Sequence, residues 1–181
     1  TFFNFGFYIA LYKKAGEINP KRSPFSAVSS IIVTKEAKGD VKNQENYTRH
    51  VQLTTVIEQD GQQEPFSFNE TGNFVELNGK YYLRYLEHQQ GHSTPVQFRL
   101  DDQVHLHRSG ELTTLLNFDL AAPTATRYRT QYGIISLEVQ TSRLEKEIDP
   151  TIPAGQLKVD YSLVTAGQTV GSYQLRLQFQ P

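Results

Sequence analysis

In the last three quarters of the chain, apolar side chains recur at every second position between tight turns, and this pattern constrains the fold most. Val51, Leu53 and Ile57 alternate with polar residues, as in a β-strand that buries one face. Asp60-Gly61 and Asn78-Gly79 are typical of the turn in a β-hairpin, because both residue types tolerate positive φ. The pattern therefore predicts a chain in which each strand pairs with the next one.

Similar alternating segments continue to the C-terminus, so we predict about eight to ten short strands, with a break near Thr71-Gly72-Asn73. No amphipathic pattern of ten or more residues indicates a helix between residues 47 and 181. Short strands with regular turn signals are typical of a β-sandwich or a β-barrel. Because the strands follow one another hairpin by hairpin, and closure removes exposed edges, we expect an all-β, antiparallel up-and-down barrel.

The longest strand signal runs from Tyr128 to Thr141 and is broken once, by Gly133. We interpret it as one long strand that bends or bulges at Tyr132-Gly133 to turn a corner of the barrel. The segment from Arg143 to Ile148 is interpreted as a short polar strand or a turn of helix.

Residues 1–45 differ from the rest of the chain. The aromatic run from Thr1 to Tyr12 lacks the flanking residues of a signal peptide and is too short to span a bilayer. Leu11 to Gly16 resembles a linker translated from a common cloning site. We therefore predict an N-terminal appendage over 1–45, cloning-derived or upstream-encoded, and a barrel domain over 46–181. An arm that touches a membrane is the alternative interpretation of 1–45.

Charge and composition argue against several classes of protein. Lys plus Arg total 18 and Asp plus Glu total 19, and the acidic residues outnumber the basic ones in 46–181. A dedicated nucleic-acid-binding domain is usually strongly basic, so we expect no nucleic-acid partner. The chain has no cysteine, which excludes disulfides and thiolate metal sites and favours a cytoplasmic location. It also has no methionine, so either the sequence starts downstream of the initiator or methionines are missing from it.

Several motifs occur together in the barrel domain: Tyr82-Leu83-Arg84-Tyr85-Leu86-Glu87, Arg108-Ser109-Gly110-Glu111, Phe118, Tyr128-Arg129-Thr130-Gln131-Tyr132-Gly133 and Gly155-Gln156-Leu157-Lys158-Val159-Asp160-Tyr161-Ser162-Leu163. With this combination, residues 48–181 resemble the YwiB-like family of uncharacterised bacterial proteins. Gln131 stands where a proline is common in that family. The resemblance implies a calycin-like (lipocalin-like) β-barrel, and it implies no established activity.

Two groups of residues raise the question of a metal site and of a nucleic-acid site. His105-x-His107 places two imidazoles on one face of a strand, but zinc sites need a third protein ligand and the sequence specifies none. Because Val104 and Leu106 indicate the inward face, we expect both histidines to face solvent and predict no metal site. Arg127 and Arg129 share a face beside tyrosines, which is compatible with single-stranded nucleic acid, but tyrosines in a barrel wall usually pack, and the acidity of 46–181 also favours packing.

A group of tyrosines and charged residues could converge on the interior or mouth of the barrel. Mostly apolar walls with a few polar groups are typical of a small-molecule site. We therefore predict a non-catalytic module that binds a small or acyl-type ligand in or at the barrel. The alternative is a closed, filled barrel with a structural or protein-interaction role, in which these groups satisfy one another. The predicted ligand-binding residues are Tyr82, Arg84, Tyr85, Glu87, Arg108, Tyr128 and Tyr132.

No motif of a nucleophilic serine, a phosphate-binding loop, a dinucleotide site or a zinc protease occurs in the sequence. We therefore expect no enzymatic activity, no cofactor and no membrane partner. The ligand, the oligomeric state and the pathway are not specified by these patterns.

Overall fold

The computed structural model describes residues 46–89, 91–109, 113–130 and 133–181. The predicted appendage 1–45 lies outside the described residues, as do Gln131 and Tyr132. Ten strands are present in the described part of the chain: β1 (Asn46–Gln59), β2 (Gln62–Leu77), β3 (Lys80–Gln89), β4 (His92–Leu100), β5 (Val104–Arg108), β6 (Thr114–Phe118), β7 (Thr124–Thr130), β8 (Gly133–Asp149), β9 (Ala154–Thr165) and β10 (Gln168–Gln180).

The strands form one antiparallel sheet in which almost every neighbour in space is a neighbour in sequence. The order is β6-β5-β4-β3-β2-β1-β10-β9-β8-β7, so the first and last strands of the chain pair with each other. The sheet curls into a nearly closed barrel, which confirms the predicted all-β, up-and-down architecture. Among the described residues, no helix is long and apolar enough to cross a membrane.

The predicted hairpin turns are present and have the expected backbone geometry. Asp60 and Gly61 have φ values of 51° and 75°, and Asn78 and Gly79 have values of 54° and 72°. Positive φ at both central residues gives a turn whose twist matches that of the flanking strands.

The prediction of one long strand from Tyr128 to Thr141 is wrong. Thr130 pairs with Gly133 and Tyr128 pairs with Ile135, so the chain reverses between β7 and β8. The burial pattern contains the signal of this reversal. The buried residue of β7, Tyr128, has an even number, whereas the buried residues of β8, Leu137 and Val139, have odd numbers. A two-residue connection between paired strands produces this change from even to odd.

One further prediction is wrong, and one of two alternative interpretations is confirmed. The expected break near Thr71-Gly72-Asn73 lies within continuous β2, where Gly72 allows the close approach of Val51 and Tyr85. The segment from Arg143 to Ile148 is a strand, as the first of its two interpretations predicted, and it forms the second half of β8. The register between β8 and β9 shifts between Thr141 and Arg143, so the bulge lies there and not at Gly133.

One seam of the barrel lacks a backbone ladder in the described part of the chain. β6 and β7 are the two ends of the sheet order, although they contact each other. Two side-chain hydroxyls bridge them: Thr124 Oγ1 donates to the Asn117 carbonyl at 2.5 Å, and Thr126 Oγ1 donates to the Leu115 carbonyl at 2.6 Å. We call this contact the β6–β7 seam.

The barrel end that contains the Asn78–Gly79 turn is filled with apolar side chains, and we call it the apolar end. Phe74 stacks on Phe179 with ring centroids 5.2 Å apart, and on Tyr81 at 5.5 Å. Gly155 makes room for this stack, because a Cβ there would lie 2.9 Å from the Phe179 ring and 2.6 Å from a backbone carbonyl. This end is packed as a solid core.

Candidate functional site

The alternation of β3 and β5 places three polar side chains inside the barrel, at the end opposite the aromatic stack. Tyr85 and Glu87 lie on the same inward face as Leu83, and Arg108 lies on the inward face of Val104 and Leu106. The residue exposures of Tyr85 and Glu87 are 6% and 5%, and the Arg108 side chain is 11% exposed. Inward positions on neighbouring strands bring these groups together.

Glu87 links the three groups. Its Oε1 accepts a hydrogen bond from Arg108 Nη2 at 2.9 Å and one from the Tyr85 hydroxyl at 3.2 Å. The arrangement is a buried ion pair whose anion is also bound by a phenol. Burial lowers the pKa of Arg108, but Glu87, Tyr85 and Tyr161 together outweigh burial, so the pKa of Arg108 is raised above its ordinary value. Burial raises the pKa of Tyr85, and the Glu87 charge raises it further.

Three more tyrosines reach the same space from β7, β9 and β10. Tyr161 and Tyr173 stack nearly parallel, with ring centroids 4.8 Å apart and an interplanar angle of 8°. Tyr128 and Tyr161 are buried on the inward faces of β7 and β9, and the Arg108 charge lowers the pKa of each phenol against the effect of burial. Burial raises the pKa of each of the three phenols. Side chains from five strands therefore form one buried group.

We call this group the polar cluster; it consists of Tyr85, Glu87, Arg108, Tyr128, Tyr161 and Tyr173. It lies toward the barrel end that contains the Asp60–Gly61 and Ala166–Gly167 turns, which we call the polar end. In the same half of β1, the hydroxyl of Thr55 is buried and has no hydrogen-bond partner among the described residues.

The β6–β7 seam borders the polar cluster directly. Tyr128 follows Thr126 on the inward face of β7, and the Tyr128 hydroxyl hydrogen-bonds the side chain of Thr114 on β6. The part of the barrel wall without a ladder is therefore beside the buried charges.

Successive residues of a strand point to opposite faces of the sheet, so the predicted ligand-binding residues are divided between the inside and the outside of the barrel. Tyr85, Glu87, Arg108 and Tyr128 come together inside the barrel, and Tyr132 lies outside the described residues. Tyr82 and Arg84 lie on the outer face, because they occupy even positions of β3 whereas Tyr85 and Glu87 occupy odd ones.

On the outer face, the Arg84 guanidinium lies 5.4 Å from the centre of the Tyr82 ring, and Arg84 Nε donates to Gln97 Oε1 at 2.7 Å. A shallow groove of about 370 Å³ runs across this surface beside Leu86 and His107.

Sequence reasoning missed Tyr161 and Tyr173. The signal was present, since Tyr161 alternates with Leu157, Val159 and Leu163 and therefore shares their inward face. What the alternation could not indicate is which inward residues of distant strands meet across the barrel.

The two histidines lie on the outer face of β5, opposite Leu106, and are half-buried. Burial lowers the pKa of His105, and the nearby Arg99 charge lowers it further. No group of three His, Cys, Asp or Glu side chains among the described residues could hold a metal ion. Arg127 is exposed on the outer face of β7.

The profile of the family described as Domain of unknown function (DUF1934) matches residues 51–177. Over 124 residues, the chain is 28% identical to the Uncharacterized beta-barrel protein YwiB of Bacillus subtilis (strain 168), covering 68% of this chain and 84% of that protein. The crystal structure of the ywiB protein from Bacillus subtilis has a TM-score of 0.65 and 21% identity, covering 76% of this chain and 94% of that one.

Proposed function

The chain belongs to the DUF1934 family, and on that premise we propose that it is a non-catalytic module that binds a small or acyl-type ligand inside the barrel at its polar end. The observation that carries the proposal is the hydrogen-bonded ion pair of Arg108 and Glu87, buried among phenols from other strands. A cytoplasmic location and the lack of enzymatic activity belong to the same proposal, supported by the absence of cysteine and of catalytic motifs from the sequence.

Stability alone gives little reason to bury these charges. Removing an ion pair from water costs several kcal/mol per ion, and well-packed apolar residues of similar volume are often as stable or more so. At the apolar end, by contrast, Phe74 and Phe179 pack against each other without a buried charge. A recognition role gives a reason to keep Arg108 and Glu87 inside.

The hydrogen-bonding capacity of the polar end supports the same proposal. Thr55 is 1% exposed, and its hydroxyl has no hydrogen-bond partner within the described residues. An unsatisfied buried polar group costs about 1–3 kcal/mol. A ligand or water in the barrel could complete its hydrogen bonding. Mostly apolar walls with a few convergent polar groups are typical of small-molecule sites.

A filled barrel with a protein-interaction role is the second candidate. It is favoured by the outer groove, which is lined by Arg84, Leu86 and His107 and in which Leu86 is 45% exposed. In that case the residues of the polar cluster would only hydrogen-bond one another. The surface that contacts a partner protein would lie on the outer face of β3–β5.

Native mass spectrometry of freshly purified protein distinguishes the ligand-binding module from the filled barrel. We expect a co-purifying molecule on the wild-type chain that is largely lost from a double variant, Glu87→Gln with Arg108→Met, whose fold is checked by circular dichroism. An Arg84→Gln variant is the matched control on the outer face and should keep the molecule. A wild-type chain that carries nothing and is not stabilised by any acyl probe would favour the filled barrel.

A further inference from the structure

The polar cluster is electrically balanced, and this restricts what it can bind. Arg108 contributes one positive charge and Glu87 one negative charge, and they contact each other at 2.9 Å. The remaining members are Tyr85, Tyr128, Tyr161 and Tyr173, which are buried phenols and neutral at pH 7. The cluster therefore has no net charge.

A charged ligand group placed here would disturb that balance. A carboxylate would compete with Glu87 for Arg108, and one of the two anions would be left without a cation in a site removed from water. Removing an ion from water without a partner is strongly unfavourable. An uncharged group carries no such penalty.

The hydrogen-bonding groups of the phenols indicate which uncharged ligand groups could bind. Each phenol oxygen can donate one hydrogen bond and can also accept one, and Tyr85 already donates to Glu87. The phenols can therefore pair with an uncharged polar group. A neutral carbonyl oxygen accepts such hydrogen bonds without introducing charge.

We propose that the polar cluster selects an uncharged acyl compound, such as an amide or an ester, over the corresponding carboxylate. This inference rests on the proposed ligand-binding function and names the chemical class of its ligand. Glu87 has the central role, because its carboxylate already occupies the position on Arg108 that a ligand carboxylate would take.

Octanamide and octanoate are matched probes, since they share a chain length and differ in the charge of the head group. Their dissociation constants for the wild-type protein are measured at pH 7.5 by isothermal titration calorimetry. We expect octanamide to bind at least about tenfold more tightly than octanoate, which corresponds to a modest charge penalty. Equal or tighter binding of octanoate by the wild-type protein would overturn the inference and leave the binding function standing.

A Glu87→Gln variant should reverse the preference, because Arg108 then lacks its internal counter-ion. Glu76→Gln, at an exposed position of β2, is the matched control and should keep the wild-type preference. If Glu87→Gln does not fold, the comparison on the wild-type protein still decides the question.

Failure of both probes to bind is resolved by the co-purifying molecule. An uncharged acyl compound supports the inference, and an anionic one contradicts it. Absence of both probe binding and any co-purifying molecule rejects the proposed function together with the inference.

Discussion

The two ends of this barrel use the same backbone architecture for opposite interiors. At the apolar end, Phe74 and Phe179 stack against a glycine that makes room for them. At the polar end, the inward positions of the same sheet hold Arg108, Glu87 and several phenols. An up-and-down barrel needs apolar inward side chains for stability but does not need them at every level. The difference separates an end packed with aromatic rings from the end at which we propose ligand recognition.

One of the two largest expected effects is at the apolar end. Phe179→Ala removes a ring that is 1% exposed and leaves a cavity between Phe74 and Gly155. We expect the free energy of unfolding to fall by about 3–5 kcal/mol. Urea denaturation measures it, and a loss under about 1 kcal/mol would mean that this end is not the solid core described above.

A paired substitution at the polar end tests whether the ion pair is needed for folding. Arg108→Met alone leaves the buried Glu87 without its cation and should destabilise the protein by about 3–5 kcal/mol. Adding Glu87→Gln removes the unpaired charge while keeping an oxygen for Tyr85, so the double variant should recover most of the loss. Urea denaturation of both variants checks this, and a double variant as unstable as the single one would show that the pair itself stabilises the barrel.

Alkaline pH should destabilise the polar end selectively. Burial raises the pKa values of Tyr85, Tyr128, Tyr161 and Tyr173 above their ordinary value of 10.0. Below pH 10 the phenols are protonated in both the folded and the unfolded chain, and stability is independent of them. Above pH 10 the unfolded chain loses these protons first, so stability falls as pH rises, by about 1.4 kcal/mol for each unit of pKa difference.

The urea midpoint measured between pH 8 and pH 11 tests that behaviour. Tyr161→Phe should make the fall above pH 10 shallower, because one of the four titrating phenols is then absent. Tyr82→Phe on the outer face is the control and should leave the curve unchanged. A midpoint that stays constant to pH 11 in the wild-type protein would contradict the burial of these phenols.

The smallest expected effect is at the β6–β7 seam. Thr126→Val keeps the shape of the side chain but removes the hydrogen bond to the Leu115 carbonyl, which should cost about 1 kcal/mol. Amide hydrogen exchange in β6 and β7 should become faster. The control is Thr54→Val at an exposed position of β1, which should change neither the stability nor the exchange in these two strands. Unchanged exchange in the seam would mean that the two strands are held by other contacts.

The error at Tyr128–Thr141 shows how far the sequence pattern can be used. Alternation identifies strand residues reliably, because each inward position must be apolar or paired. A phase shift in that alternation is compatible with either a bulge or a reversal, and only the pairing of Thr130 with Gly133 distinguishes them. The same alternation divides the predicted site residues of β3. Tyr82 and Arg84 lie on the outer face, whereas Tyr85 and Glu87 lie on the inner face.

The amino-acid sequence by itself determined the strand content, the hairpin turns and the inward face of Val104, Leu106 and Arg108, since these depend on neighbours along the chain. Tertiary structure alone decided that Arg108 meets Glu87 and that Tyr161 and Tyr173 join them from strands far away in sequence. It also decided that the ladder is interrupted between β6 and β7, in the middle of the chain. The physical reason is that alternation fixes which way a side chain points, whereas the register and closure of the whole sheet fix what it meets.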